Sequence, residues 1–375
     1  MRTKKHIKKR NSVDFTFLLV VIVLLIFGLT MVFSASSASA HYLQGDALYY
    51  IKKQLIFAVL GLISMWFVSI IDYRVVQKLA LPMLGITFVL LVLVLIPGVG
   101  INTKGATRWL GVAGFTIQPS ELAKFTIIIF LAHALSVRKT PIDKFWSDFV
   151  PYLAVIGVFA GLVLLEPHLS GAVVIAAAGC LVLFLGGAKM KHFGILTVPA
   201  ILALGVAIAI EPYRLTRFTT FLHPFEDMLG DGYQIVQSLY AIGSGGFFGL
   251  GLGQSRQKFL YIPEPHNDFI FSIICEELGF FGALAVILLF VLLVWRGIKI
   301  AMAAPDKFSA LTVGGIIGLI AFQVLVNIAV VTGSVPVTGM PLPFFSAGGT
   351  ALLFLLTSVG FVLNISRHME KPRKM

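Results

Sequence analysis

Apolar residues in this chain do not alternate with polar ones; they run in unbroken blocks. Uncharged stretches cover 15–33, 54–71, 79–103, 149–165, 169–188 and 193–210, each near the roughly 17–25 residues that a membrane-crossing helix needs. A shorter block at 125–137 reaches spanning length only if its helix starts near Pro119 and takes Glu121 and Lys124 into the membrane. Another run extends from about His266 to Trp295, with Glu276 and Glu277 inside it. Residues 308–366 carry no charge and suffice for two spans, interrupted at 333–343, where Pro336, Gly339, Pro341 and Pro343 forbid a continuous helix. The pattern predicts an all-α polytopic membrane protein of ten transmembrane helices. In lipid, backbone groups must be satisfied within helices or a closed barrel, and continuous runs do not fit the alternation of a barrel.

Composition narrows the class further. Hydrophobic residues make up 58% and charged residues 12% of the chain, against about 25% charged in a soluble domain, and mean hydropathy is +0.95. A soluble globule is excluded. The net charge of +12 invites a nucleic-acid reading, but basic cytoplasmic loops account for it in a membrane protein and no nucleic-acid partner is expected. With ten spans both termini share one side. Twenty of the 29 Lys and Arg fall on that side and eight on the other, with Lys124 inside the membrane, which places both termini in the cytoplasm of a multi-pass cell-membrane protein. The chain then divides into a basic tail at 1–14, a single membrane domain at 15–366 and a second basic tail at 367–375. A large external loop at 211–265 separates helices 7 and 8. The first run ends near an Ala-Ser-Ala at 38–40, as a secretory signal would. It is longer than an h-region of about 7–15 residues and more spans come after it, so a retained first helix is expected. Cys180 and Cys275 fall in apolar runs and read as small core residues.

The external side holds the unusual features. Loops at 98–118 and 211–265 are longer than idle connections. The second contains a helix-like stretch at 233–242 and the glycine cluster GSGGFFGLGLG, and is expected to pack over the outer mouth. Six of the eight external basic residues lie in these loops: Lys104, Arg108, Arg214, Arg217, Arg256 and Lys258. Cations clustered there suit a phosphate-bearing ligand, or lipid headgroups. Glu121 and Lys124, three apart, share a helix face and can pair; the pair either serves a site or makes a short helix tolerable in lipid. Asp268 comes after His266 and Asn267 at the mouth of its helix, where it either faces a cavity or caps the N-terminus. Glu276, eight residues on, is about 80° round the helix and is expected to share that cavity. Glu277, about 180° round, is expected against a different helix.

Several long motifs carry a family resemblance over nearly the whole chain. QPSELAK at 118–124, YQIVQSLYAIGSGG at 233–246, GLGLGQSRQKFLYIPEPHNDFIF at 249–271, EELG at 276–279 and PLPFFSAGGT at 341–350 resemble the SEDS family of peptidoglycan glycosyltransferases. The uninterrupted GLGQSRQKFLYIPEPH resembles the FtsW and SpoVE branch more than RodA-like members. The resemblance implies polymerisation of lipid II at the outer face of the cytoplasmic membrane, in septal or sporulation wall synthesis, with release of undecaprenyl pyrophosphate. It also implies a class B penicillin-binding protein transpeptidase and other division or sporulation wall-synthesis proteins as partners. The family's essential aspartate falls on Asp268 and its acid–base pair on Glu121 and Lys124. The expected substrate-binding set comprises the six external cations with His266 and Ser346. Two departures stand out. Asn267 replaces a common Thr, and EPHLSG at 166–171 replaces a turn of the Asp-Leu-Gly-Thr type, so Glu166 and His168 stay outside the catalytic set.

The chemistry agrees with this assignment. A sugar hydroxyl attacking an anomeric carbon needs a base in hydrogen-bond reach, and a departing pyrophosphate needs cations aimed at its growing charge. Asp268 is the expected base, with Glu121 and Lys124 charging or fixing the cavity. No cofactor is demanded; where a divalent cation, Mg or Mn, takes part, Asp268 is the side chain expected to hold it. A lipid II flippase and a non-catalytic division scaffold are the alternatives. The first would need polar groups reachable from both faces, and the second would survive loss of Asp268.

Overall fold

The computed structural model describes residues 12–369 apart from 104, 113, 114, 211 and 231. Each predicted apolar run forms a helix over most of its length. Eight are long and apolar enough to cross a membrane: α1 (Phe15–Gln44), α2 (Tyr49–Ile70), α5 (Pro119–Val137), α6 (Val150–Leu165, entered through a π-turn at Phe145–Phe149), α8 (Met190–Ile210), α11 (Ile270–Met302), α12 (Lys307–Val331) and α13 (Gly349–Ser366). Two shorter apolar helices, α4 (Ala80–Leu95) and α7 (Leu169–Leu185), occupy the remaining predicted positions. Short helices α3 (Tyr73–Lys78), α9 (Pro212–Leu222) and α10 (Tyr233–Ser244) join them.

Local chemistry sets the ends. Asp14 accepts the Phe17 N–H and starts α1, and Gly45, at φ +69°, ends it, the left-handed position that glycine occupies without penalty. Asp306 and Ser309 form a reciprocal capping box on α12. α5, α12 and α13 are the most enclosed helices, packed with α7 and α2. α8 buries only His192 among its residues, so almost its whole apolar surface is left for lipid. At the end of the bundle where α1 begins, Arg296 pairs with Asp14 at 2.8 Å and Tyr73 donates to Asp306 at 2.6 Å.

Two elements depart from the sequence reading and one agrees with it. The block at 79–103 does not end as helix: α4 stops at Leu95, before Pro97 and Gly98. The chain then turns into a three-stranded antiparallel sheet of β1 (Gly100–Thr103), β2 (Ala106–Val112) and β3 (Phe115–Ile117) in the order β1-β2-β3, so among the described residues the regular structure is helical except for these strands. α11 begins at Ile270 rather than His266, and Gly279, at φ 65° and ψ −165°, breaks it into 270–278 and 280–302. The glycine cluster repairs the break. Leu250 and Gly251 donate to the carbonyls of Glu276 and Glu277 at 2.9 Å, while Phe280 donates to Gly246 at 2.8 Å. Irregular backbone is tolerated at membrane depth only with such partners. A Cβ at Gly249 or Gly279 would strike the opposing main chain, which is why both are glycine. Finally, α10 is the predicted helix in the large loop, and it docks on α11 through Ser238, whose hydroxyl lies 2.7 Å from both Ser272 Oγ and the Val331 carbonyl.

Candidate active site

Asp268 is not a helix cap. Phe269 takes the N-cap position of α11 and no side chain caps it. Residues 266–268 form a turn held by the segment between α12 and α13. Asn327 donates to the carbonyls of Asp268 at 2.7 Å and Met340 at 2.8 Å. Ser346 donates to the Asn267 carbonyl at 2.7 Å and accepts from the Leu342 N–H at 2.7 Å. The Ala347 N–H reaches the His266 carbonyl at 2.8 Å, and Gln54 of α2 donates to the Ser346 carbonyl at 3.1 Å. These bonds fix the main chain of the turn and spend none of the Asp268 carboxylate. That carboxylate faces Gly339, where a Cβ would lie 3.7 Å from its Oδ2. Gly339 has φ +70°, so glycine also serves the turn itself.

The same segment closes a second space. A cavity of about 30 Å³ lies between Glu121 and Lys124 of α5 and the stretch containing Leu342, Phe344 and Ser346, with Gln323 of α12 at its side. Glu121 and Lys124 are buried and pair at 2.6 Å. Among the described residues no other side-chain hydrogen bond reaches either. The structure therefore brings Asp268 and the Glu121–Lys124 pair against one short, proline-rich segment, although they lie more than a hundred residues apart in sequence.

The expected binding residues divide. Arg217 of α9 is exposed and donates to the Val337 carbonyl at 3.3 Å, beside the turn that faces Asp268. Arg256 is exposed. Arg108 of β2 donates to the carbonyls of Glu166, at 3.2 Å, and Pro167. His266 is buried against Tyr50, ring centroids 4.2 Å apart, and Ser346 is buried in the scaffold just described, so both position the turn. Lys258 departs from expectation. It is 3% exposed and bonds Glu277 at 3.0 Å, Ser34 at 3.2 Å and the Gly253 carbonyl at 2.6 Å, so its charge is engaged inside the protein. Glu276 departs as well. Its carboxylate is engaged by the N–H groups of Arg256 and Gln257 and the Ser255 hydroxyl. Glu277 meets α1 through Ser34, as its helix angle implies. Lys104 and the Arg214 side chain lie outside the described residues, as do the basic residues at the far ends of the two tails. No group of three His, Cys, Asp or Glu able to hold a metal occurs among the described residues.

Sequence reasoning passes over Asn327, Gln54 and Gln323. The signal that could find them is a polar side chain inside an uncharged run, which in a membrane protein marks a partner or a site. It also sets aside the turn at 166–168. Glu166 is fully buried with neither carboxyl oxygen hydrogen-bonded, and burial pushes its acid up to about 8 against the opposing pull of Arg108.

With this geometry in view, similarity to known proteins is decisive. The FtsW/RodA/SpoVE family model, described as cell cycle protein, matches residues 15–371. The chain belongs to this family. Among relatives, it is 45% identical over 360 residues to stage V sporulation protein E of Bacillus subtilis strain 168, covering 96% of this chain and 98% of that one. It is 44% identical over 360 residues to a probable peptidoglycan glycosyltransferase FtsW of Trichlorobacter lovleyi, covering 95% and 94%. Among solved structures it resembles a chain from work on structural coordination of polymerization and crosslinking by a peptidoglycan synthase complex, with TM-score 0.79, 31% identity and coverage of 96% and 99%. Rod shape determining protein RodA of Thermus thermophilus aligns with TM-score 0.72 and 29% identity over 96% of this chain and 98% of that one. The chain shares its helical arrangement with these solved structures.

Proposed function

We propose that this chain is a peptidoglycan glycosyltransferase of septal or sporulation wall synthesis, polymerising lipid II at the outer face of the cell membrane. The ten apolar helices all cross the bilayer, with both termini cytoplasmic. One observation carries the catalytic reading: the segment at 337–348 contacts the Asp268 turn on one side and the Glu121–Lys124 cavity on the other. A base and a buried ion pair thereby share one wall. Asp268 takes the proton from the attacking sugar hydroxyl as that oxygen bonds the anomeric carbon of the other lipid II. The bond from that carbon to the diphosphate oxygen breaks, and lipid diphosphate leaves with the electron pair. Lys124, held by Glu121, and the exposed Arg217 and Arg256 supply positive potential for the departing charge. Lys258 takes no part, because its ammonium is engaged by Glu277. Crosslinking of the new strand falls to a class B transpeptidase partner.

Asp268→Ala in protein that still inserts and folds is expected to abolish glycan-strand formation from purified lipid II, read as polymer ladders on a gel. Normal ladders would remove Asp268 from this role. Movement of labelled lipid II across liposomes without polymer would replace the enzyme reading by transport, and complementation by Asp268→Ala would replace it by a scaffold.

A further inference from the structure

The turn at 166–168 abuts the base of α5, on which the Glu121–Lys124 pair stands. His168 is the N-cap residue of α7, and its Nδ1 lies 3.3 Å from Gln118 Nε2 and 3.4 Å from Ser120 Oγ. Gln118 is in turn the N-cap of α5, whose own N-terminus has no side-chain cap, and its carbonyl accepts the Glu121 N–H at 3.0 Å. Two polar residues that flank Pro119 therefore converge on one ring nitrogen supplied by another helix.

We propose, building on the glycosyltransferase reading above, that His168 is a positioning residue for the Glu121–Lys124 pair: its neutral ring accepts from Gln118 and Ser120 and so fixes the first turn of α5. Both partners can donate, so Nδ1 is the acceptor and the ring proton sits on Nε2. The surroundings keep the ring neutral. Burial, then Arg108 from β2 and Lys124 from α5, push His168 down to about 3, and Glu166 of the same turn is held largely uncharged by its own burial. Lys124 stands one helical turn beyond Ser120. A shift of this first turn moves the ammonium at the cavity by a comparable amount, and misplacement of about 1 Å costs about 100-fold in turnover.

Gly171 offers a way to displace the ring without touching α5. A Cβ there would lie 2.7 Å from His168 Nδ1 and 2.8 Å from Cε1, too close for the ring to stay. The fit of His168 therefore depends on this glycine in the next turn of its own helix.

The test measures steady-state polymerisation of lipid II by purified full-length protein carrying H168A, H168N, G171A or H168A with G171A, with thermal unfolding in detergent recorded for each. H168A and G171A are each expected to lower kcat by about 10- to 100-fold with KM for lipid II unchanged. H168N, whose amide oxygen falls near the Nδ1 position, is expected to recover to within about 3-fold of wild type. The double variant is expected to be no worse than H168A, because both changes remove one contact. Full turnover by a folded H168A, Asn as poor as Ala, or additive losses in the double variant would each overturn the assignment. Where H168A does not accumulate, H168N and G171A alone carry the decision. Wild-type turnover in the same assay reports separately on the glycosyltransferase reading.

Discussion

Two buried lysine–glutamate pairs stand in this protein and are built oppositely. In Lys258–Glu277, at 3.0 Å, every group is bonded several times over. The ammonium also meets Ser34 and the Gly253 carbonyl, and the carboxylate also accepts from Ser34 and from the N–H groups of Gly253 and Ser255. In Glu121–Lys124, at 2.6 Å, each side chain has the other and a cavity wall. A buried ion pair recovers its desolvation cost only when its remaining donors and acceptors are satisfied. The first pair meets that condition and staples the glycine-rich loop to both α1 and the broken α11. The second does not, which is the condition expected of charges kept for a ligand. The difference teaches that burial and pairing alone do not make two ion pairs alike; the count of other partners separates a fully satisfied pair from one with bonding capacity to spare.

The largest expected effect comes from breaking the staple. Lys258→Met leaves Glu277 charged among dipoles alone, and loss of one partner of a buried pair costs about 3–5 kcal/mol. Thermal unfolding in detergent should show this fall, with polymerisation lost along with the fold. An unchanged unfolding temperature would mean that the loop is held by its main-chain bonds and the comparison fails. Next in size, Lys124→Met combined with Glu121→Gln, which leaves no buried carboxylate stranded, should cut polymerisation by about 100- to 1,000-fold, or roughly 2.7–4 kcal/mol, as removal of an oxyanion-stabilising donor does, while moving unfolding much less than Lys258→Met. Equal destabilisation by the two variants would make both pairs structural.

The same contrast explains how much of the molecule is legible in its sequence. Helix positions are readable because lipid allows almost nothing else: long uncharged runs such as 308–366, and the prolines that split it, leave one solution. The break at Gly279 is invisible, because apolar residues continue beyond it to Trp295 and the partners that make it tolerable come from 246–251. The strand at 100–103 reads as the end of a helix, since apolar content near Leu95 does not show where pairing changes from local to cross-strand. Asp268, Glu121 and Lys124 stand out in the sequence as charges in or beside apolar runs and through the family's motifs, and the structure sets them against one segment. Lys258 is misjudged for a related reason. Counting loop cations gives a side of the membrane but not a direction, and the direction here is set by Glu277, nineteen residues later in sequence. His168 escapes notice because a motif departure removes an expected role without naming its replacement, and the replacement depends on Gln118 and Ser120 from another helix.

The smallest expected effect belongs to Glu166, a buried acid with no ion-pair partner among the described residues, whose carboxyl oxygens accept no hydrogen bond. Its acid is held at about 8 in the folded chain against 4.5 in the unfolded one, chiefly by desolvation. Between pH 4.5 and 8 the folded chain keeps a proton that the unfolded chain has released, so stability falls as pH rises across that window and levels off above it. His168 acts at the other end. With about 3 folded against 6.5 unfolded, it loses stability as pH falls from 6.5 toward 3, so the two residues oppose each other between 4.5 and 6.5. Glu166→Gln removes the first slope alone. Because the amide cannot ionise, it should raise stability at pH 8, where the unfolded wild type gains by losing its proton, and leave it nearly unchanged at pH 4.5. Unfolding midpoints of wild type and variant measured from pH 4.5 to 8.5 read this directly. Parallel curves would show that Glu166 is charged and compensated by Arg108, making a third ion pair and placing it with Lys258–Glu277.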